Sequence, residues 1–545
     1  MRNFVMMCCL AAAAAGFASA PEPMHPAMGS SPFQAKRYPA PPLRATGAVA
    51  EVLVELPATF IPRSEDATGR ERVGIVRPFP DAVAIRGEQM AKRGGTWHWS
   101  ATFRAIGADR VRLQLRDVVA EAPLTAWVYG ESGDVSGFEL GAEEWTPSVA
   151  GDSITLEVES ARQASFAVTS IGELFPPTTE ATECLFDASC AGGISETRTA
   201  YALLVFASGG SFYSCTGSLI IDRQDTFTPY LLTANHCIST ASEAASLEAY
   251  WDYQTSFCHG PAPALSSVPR VHGATVLATS PQSDVTLLRL AFSPSGTHWY
   301  LGWHPSSVAA GTVVKRVSHA MGLAQVYSET IVDPSSGLSC VALPRPSFQY
   351  ESQAFGGTAG GSSGAPSYIG DGLIVGQLYG ACGTDLSNPC SLLNHAVDGS
   401  FAASYPLLQP YLDPTAQPQT CVPNATTACL LNNRFRATVR YRGAFDNQPA
   451  DTQASVKPVT GFGSATSETV FFYFNSANNI EMLVKMLDQG NTTTGGQQTI
   501  AVLYGSATPL RIELTITDMR TGAVKNYTSP FAAMTGGTDF LAFVK

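Results

Sequence analysis

The chain has 545 residues, a formal charge of −12, 14% charged residues and 45% hydrophobic ones. That length exceeds what one hydrophobic core supports and points to about three folded units. A charge-poor, acidic chain lacks the clustered Lys and Arg that counterion-release binding needs, so no nucleic-acid partner is expected.

Met1 to Ala20 opens with Arg2, runs through the apolar Ala11 to Ala15 and closes on Ala18-Ser19-Ala20. This is the pattern of a secretory signal, with bacterial-type export and an extracellular protein as its consequence. No later run reaches the roughly 18 apolar residues of a membrane span. Of the twelve cysteines, Cys8 and Cys9 leave with the signal, and the remaining ten suit five bridges in an oxidising compartment.

Residues 21 to about 47 are rich in Pro, Ala and Ser without period and read as an extended leader. Strands follow. Val111, Leu113 and Leu115 alternate with Arg112, Gln114 and Arg116; Ile154, Leu156 and Val158 alternate with Thr155, Glu157 and Glu159. Each pattern predicts one apolar face and one wet face, and with Trp97, Trp99, Trp127 and Tyr129 the region predicts a small β-sandwich. Pro176-Pro177 then breaks the pattern, and Cys184 is the first cysteine of the mature set. The expected organisation is a signal peptide at 1–20, a propeptide with a β-sandwich core at 21–178, a central domain at 179–413, a linker at 414–430 and a C-terminal β-sandwich at 431–545. Within the 414–430 span Cys421 and Cys429 lie close enough to bridge; in the last unit Phe435, Ala437, Val439 and Tyr441 alternate with polar residues, and further strands fall at Val470 to Phe474 and at Ile512, Leu514 and Ile516.

The chemistry concentrates in the central domain. A serine hydroxyl is a weak nucleophile at neutral pH and needs an imidazole to take its proton, and the imidazole needs a carboxylate to hold its tautomer. His236 follows the apolar Leu231-Leu232 and sits beside Cys237, which can tie this strand to that of Cys215. Asp284 precedes the apolar strand Val285 to Leu290, where burial keeps its pairing with His236 strong. Ser363 lies in Gly361-Ser362-Ser363-Gly364, whose glycines permit a tight turn that exposes the hydroxyl. The N–H groups of Gly361 and Ser363 form the expected oxyanion hole, worth about 3–4 kcal/mol per donor. Ser362 and Ser367 are weaker nucleophile candidates.

The order His236, Asp284, Ser363 resembles that of trypsin-like serine proteases. Over residues 184 to 413 the chain is more specifically similar to bacterial lysyl endopeptidases: Cys184 to Cys190 resembles their mature start, Tyr250-Trp251-Asp252-Tyr253-Gln254 a segment between His and Asp, and Gly376-Gln377-Leu378-Tyr379-Gly380 the substrate-binding strand. The resemblance implies a mainly β chain with a trypsin-like double β-barrel, and bridges Cys190 to Cys258, Cys215 to Cys237, and Cys184 to Cys382 or Cys390, with Cys340 taking the remaining partner. It also implies a zymogen whose propeptide masks the cleft. Ser362 stands where trypsins carry Asp, so an activating salt bridge from a new amino terminus is not available here.

The resemblance breaks at the primary specificity pocket. Ala359 stands where the lysine-specific relatives have Glu, the expected Asp falls near Asn394 or His395, and Gly357 supplies no charge. Asp385 or Asp398 could reach the pocket from a reshaped loop. Between Arg162 and Arg198 there is no Lys or Arg, although Glu173, Glu180 and Glu183 are present. The expectation is a secreted, monomeric serine endopeptidase without metal or organic cofactor. Gly357, Leu378, Tyr379, Gly380 and His395 line its pocket, and it prefers a residue other than lysine at the cleaved position, an acidic one if His395 lines the pocket. The competing expectation is a retired protease fold that acts as a surface-binding or adhesive module.

Overall fold

The computed structural model describes residues 22–544 except 46–49, 60, 62, 67–68, 142–143, 177–182, 335–341, 346, 387, 415–420, 459–466, 495–496 and 520–523. The chain is mainly β and divides into two compact units, Met1–Asp413 and Pro414–Lys545. Among the described residues no helix is long and apolar enough to cross a membrane.

In the first unit, two β layers precede the double barrel. One layer runs Val52–Leu56, Thr96–Ala105, Ser153–Ser160, Leu124–Tyr129, Val135–Leu140 in spatial order. The other is built from Glu71–Ile85, Ala164–Leu174 and Arg110–Ala120. Val111, Leu113, Leu115, Ile154, Leu156 and Val158 fill the space between them and are wholly buried, as period-2 alternation demands.

The face expected to be wet is not uniformly so. Arg112 is fully buried because the strand Arg110–Ala120 lies against the first barrel: Arg112 donates to the carbonyls of Thr146 (3.0 Å) and Ser246 (2.9 Å) and stands 3.8 Å from Glu248, itself fully buried. Glu248 also pairs with Arg270 at 3.1 Å and accepts from Ser148 N–H. Burial pushes its carboxyl upward, but Arg270 and Arg112 outweigh that and hold it well below the usual range. On the other layer Glu157 is buried under Leu43, whose N–H it accepts at 2.6 Å, and under the Tyr129 hydroxyl.

The leader, expected to be extended and unpatterned, in fact docks on both parts of this unit. Ala27–Gly29 pairs antiparallel with His298–Tyr300, Met24 exchanges two 2.9 Å backbone hydrogen bonds with Trp303, and the indole of Trp127 donates to Pro39 O. Gly302 permits this approach, since a Cβ there would lie 2.0 Å from Met24 O.

The first barrel takes its strands in the order Tyr201–Ser208, Ser211–Leu219, Tyr230–Ala234, Val285–Leu290, Ala274–Ser280, then through the bend at Gly273 into Arg270–His272 and Glu248–Trp251, which pairs back onto Tyr201–Ser208. Its sheet continues into the N-terminal layers, because Glu71–Ile75 pairs with Ser211–Ser214. The second barrel closes through Val313–Ser318, Val326–Val332, Phe348–Phe355, Asn394–Ser400, Leu373–Gly383 and Pro366–Ile369. The helix Phe401–Leu412 caps the core with Phe401, Leu408 and Leu412 fully buried.

The second unit is two five-stranded sheets around Phe435, Val439, Phe472, Val484, Val502 and Leu514. Its first strand, Thr427–Leu430, pairs with Phe435–Tyr441 and falls inside the span 414–430 expected to be linker. The Cys421–Cys429 bridge forms as its spacing suggests, whereas this short strand carries too little apolar periodicity to be read from sequence.

Candidate active site

Two neighbouring strands bring the base and its carboxylate together. Tyr230–Ala234 pairs antiparallel with Val285–Leu290, with Ala234 opposite Val285, so the residues just beyond each strand end meet at one end of the ladder. There Asp284 accepts from His236 Nδ1 at 2.8 Å and from His236 N–H at 2.9 Å, while Asn235 N–H donates to Asp284 O. Asp284 is 3% exposed and adopts φ +50°, a left-handed turn conformation that Asp tolerates. The two acceptor contacts fix both the imidazole orientation and the Nδ1–H tautomer, leaving Nε2 as the proton acceptor.

The loop 359–364 is stitched to the same region. Ser363 O accepts from Thr216 N–H at 2.8 Å, Gly361 O accepts from the Thr216 hydroxyl, and Gly364 N–H donates to Leu378 O. Thr216 follows Cys215, which is bridged to Cys237 beside His236. Gly361 and Gly364 have φ of +88° and +78°, and a Cβ on Gly364 would stand 2.3 Å from Thr233 Oγ1 and 2.8 Å from Ala234 N. Glycine is therefore required by both dihedral and space. Ser362 is buried with its hydroxyl on Ser318 Oγ at 2.9 Å, and Ser367 is buried against Asp398, so neither weaker candidate faces a cleft.

Gly357, Leu378, Tyr379, Gly380 and His395 lie along one cavity of about 710 Å³ that Ser363 also lines. The Tyr379 ring packs edge-on to His236, with centroids 5.7 Å apart. His395 Nδ1 is paired with Asp333 Oδ2 at 3.0 Å, and the other Asp333 oxygen takes the Ser352 hydroxyl. Neither acid nominated for this pocket lines it. Asp398 is fully buried beneath it, taking Arg316 Nη2 at 2.6 Å and the Ser367 hydroxyl; Asp385 is engaged through its backbone with Asn394. Glu351 shares Arg316, and burial together with Asp398 pushes its carboxyl upward.

The cleft is not empty of its own chain. Residues of the N-terminal part line the same cavity: Glu65 accepts from Gly360 N–H at 2.8 Å, and Ser363 Oγ donates to Gly69 O in a long 3.4 Å hydrogen bond. Arg63 anchors one side on the carbonyls of Pro176 and Met321, and Arg70 the other on Asp66 and over the Tyr213 ring. These contacts carried no local sequence signal, since a lone Glu and Gly in a polar stretch look like any loop.

Cys184–Cys390, Cys190–Cys258 and Cys215–Cys237 are bridged, which resolves the choice left open for Cys184. Cys382 is disulfide-bonded as well, and Cys340 lies outside the described residues. Among the described residues, the two groupings with metal-ligand proximity, Cys190, Cys258 with His259 and Cys215, Cys237 with His236, have their cysteine sulfurs consumed in these bridges.

A closed pair of six-stranded barrels with a His–Asp pair and a glycine-flanked serine between them is the architecture of the trypsin-like proteases. Within that class the chain is lysyl endopeptidase-like: the family model for the lysyl endopeptidase C-terminal domain matches residues 178–391. A lysyl endopeptidase of Pseudomonas aeruginosa (strain PAO1) is 28% identical over 291 residues, 47% of this chain and 61% of the relative. The secreted RxLR effector protein 73 of Plasmopara viticola is also 28% identical, over 38% of this chain and 52% of its own length. The chain thus spans less than two thirds of these relatives. Among solved structures, the active form of the Rv3671c protease of M. tuberculosis aligns at 14% identity over 43% of this chain and 92% of its own, with a TM-score of 0.28.

Proposed function

We propose that this chain is a secreted serine endopeptidase made in a latent form, with Ser363 as nucleophile, His236 as general base and Asp284 as its orienter. The observation that carries the reading is the two-point contact of Asp284 with His236, beside the strand Ser211–Leu219 whose Thr216 is bonded to the Ser363 loop. In the working enzyme Ser363 Oγ attacks the peptide carbonyl as His236 Nε2 takes its proton; Asp284 stabilises the imidazolium so formed. The N–H groups of Gly361 and Ser363 receive the oxyanion, His236 returns the proton to the leaving amine, and water, activated by the same imidazole, hydrolyses the acyl-enzyme.

Latency follows from a strap made by residues 63–66 and 69–71. With Glu65 on Gly360 and Gly69 on Ser363, a substrate cannot reach the nucleophile, and Arg112, Glu248 and Arg270 hold the N-terminal layers against the first barrel. Cleavage near residue 178 and departure of this part open the cleft. Among the described residues, the protease part of the pocket wall offers no carboxylate for a lysine side chain, so the cleaved residue is not lysine. The test is hydrolysis of an unfolded protein by the processed chain: Ser363→Ala should abolish it, and retained hydrolysis in that variant would end the proposal.

A further inference from the structure

We infer that the primary specificity pocket takes an acidic side chain and that His395 is the residue that reads it, an inference that rests on the endopeptidase reading above. The protease-derived part of the cavity wall offers His395 and Tyr379 as its ionisable side chains among the described residues. Among the described residues, every carboxylate that lines the cavity, namely Glu65, Asp66 and Glu71, belongs to the N-terminal part and leaves with it.

The acids behind the wall are already committed. Asp398 is held by Arg316 and Ser367; Glu351 takes Thr330, Gln349 and Arg316; Asp333 takes His395 and Ser352. A lysine ammonium brought into this pocket would be desolvated without a partner, which is costly. A carboxylate meets the opposite situation. The Asp333 contact occupies Nδ1, so Nε2 is the edge left for the substrate, and a ring carrying both protons donates from it to an anion.

The latent chain itself places a carboxylate in this cleft, with Glu65 Oε1 on Gly360 N–H at 2.8 Å. The processing region agrees. It has no Lys or Arg between Arg162 and Arg198, Glu173 is sealed in a strand against Arg77 at 3.0 Å, and Glu183 is exposed directly before Cys184. An enzyme that cuts after acidic residues has a bond of its own to cut there.

The test uses the processed, secreted chain and internally quenched peptides identical except for Glu, Asp, Gln or Lys at the cleaved position. Glu should exceed both Gln and Lys in kcat/KM by more than about tenfold, a difference of about 1.4 kcal/mol. In His395→Ala, and in His395→Gln as the variant closer in size, the Glu-to-Gln ratio should fall below about threefold. The mature amino terminus, read by mass spectrometry, should follow an acidic residue. Preference for Lys or Gln, or an unchanged ratio in both variants, overturns the inference while leaving the protease standing. A chain that neither reacts with a fluorophosphonate at Ser363 nor cuts any peptide overturns both readings.

Discussion

Replacing Asp284 with Asn isolates the carboxylate's contribution with little change of shape. Asp284 accepts two hydrogen bonds, from His236 N–H and from Nδ1–H. The asparagine oxygen can keep one of them, but its NH₂ must then face the other position. If it faces Nδ1, the ring proton is forced to Nε2, and the imidazole can no longer take the proton of Ser363. The side chain is 4% exposed, so water cannot restore the lost acceptor. The expected loss in kcat is about 10⁴-fold, equivalent to about 5.5 kcal/mol, against a KM changed by less than about threefold. Steady-state kinetics on the preferred peptide, alongside thermal unfolding to show that the variant is folded, gives the answer. A folded variant that retains more than a tenth of the wild-type kcat would refute the assignment of Asp284.

Gly364→Ala sets a methyl group 2.3 Å from Thr233 Oγ1 at a φ of +78°, so it should displace the neighbouring Ser363 and lower kcat by about 10²-fold, measurable with the same peptide. Arg112→Ala removes one partner of a fully buried charge; because Glu248 keeps Arg270 and Ser148 N–H, the expected cost is at the low end of the range for broken buried pairs, about 3 kcal/mol in urea unfolding of the unprocessed chain. Acid should destabilise the unprocessed chain. Burial first and Arg112 second push His272 down to about 3, and burial lowers His319 to about 4, so both are neutral in the fold while the unfolded chain protonates them below about 6.5. Their contribution is present above that pH and is lost as pH falls toward 4, and the depressed carboxyl of Glu248 adds loss below about 4.5. A melting temperature independent of pH between 7 and 4.5 would contradict this.

Much of the fold was legible because its strands bury one face and its turns need particular residues. Val111, Leu113 and Leu115, or Ile512, Leu514 and Ile516, mark a buried face by alternation alone, and the glycines around Ser363 mark a left-handed turn. The errors have a common cause. Arg112 and Glu157 sat at polar positions of those patterns and were assigned to solvent, yet each is buried by a segment more than a hundred residues away, Ser246 for the one and Leu43 for the other. The leader misled for the same reason, since its backbone pairing with His298–Tyr300 leaves no periodicity in its own sequence.

At the candidate site, the pairing of His236 with Asp284 and the left-handed glycines beside Ser363 follow from patterns legible in the sequence. The strap does not. Glu65 and Gly69 acquire their roles from Gly360 and Ser363, nearly 300 residues on, and nothing in residues 63–71 announces that contact. Asp385 and Asp398 were expected to reach the pocket from a reshaped loop, and only the burial of Asp398 with Arg316 shows that its charge is spent.

Reaction of the processed chain with a fluorophosphonate, followed by peptide mass spectrometry, tests the assignment of the nucleophile most directly. One adduct is expected, on Ser363, that disappears in His236→Ala and forms slowly in the unprocessed chain, where Gly69 lies against the hydroxyl. An adduct on a different serine, or equal rates before and after processing, would contradict it.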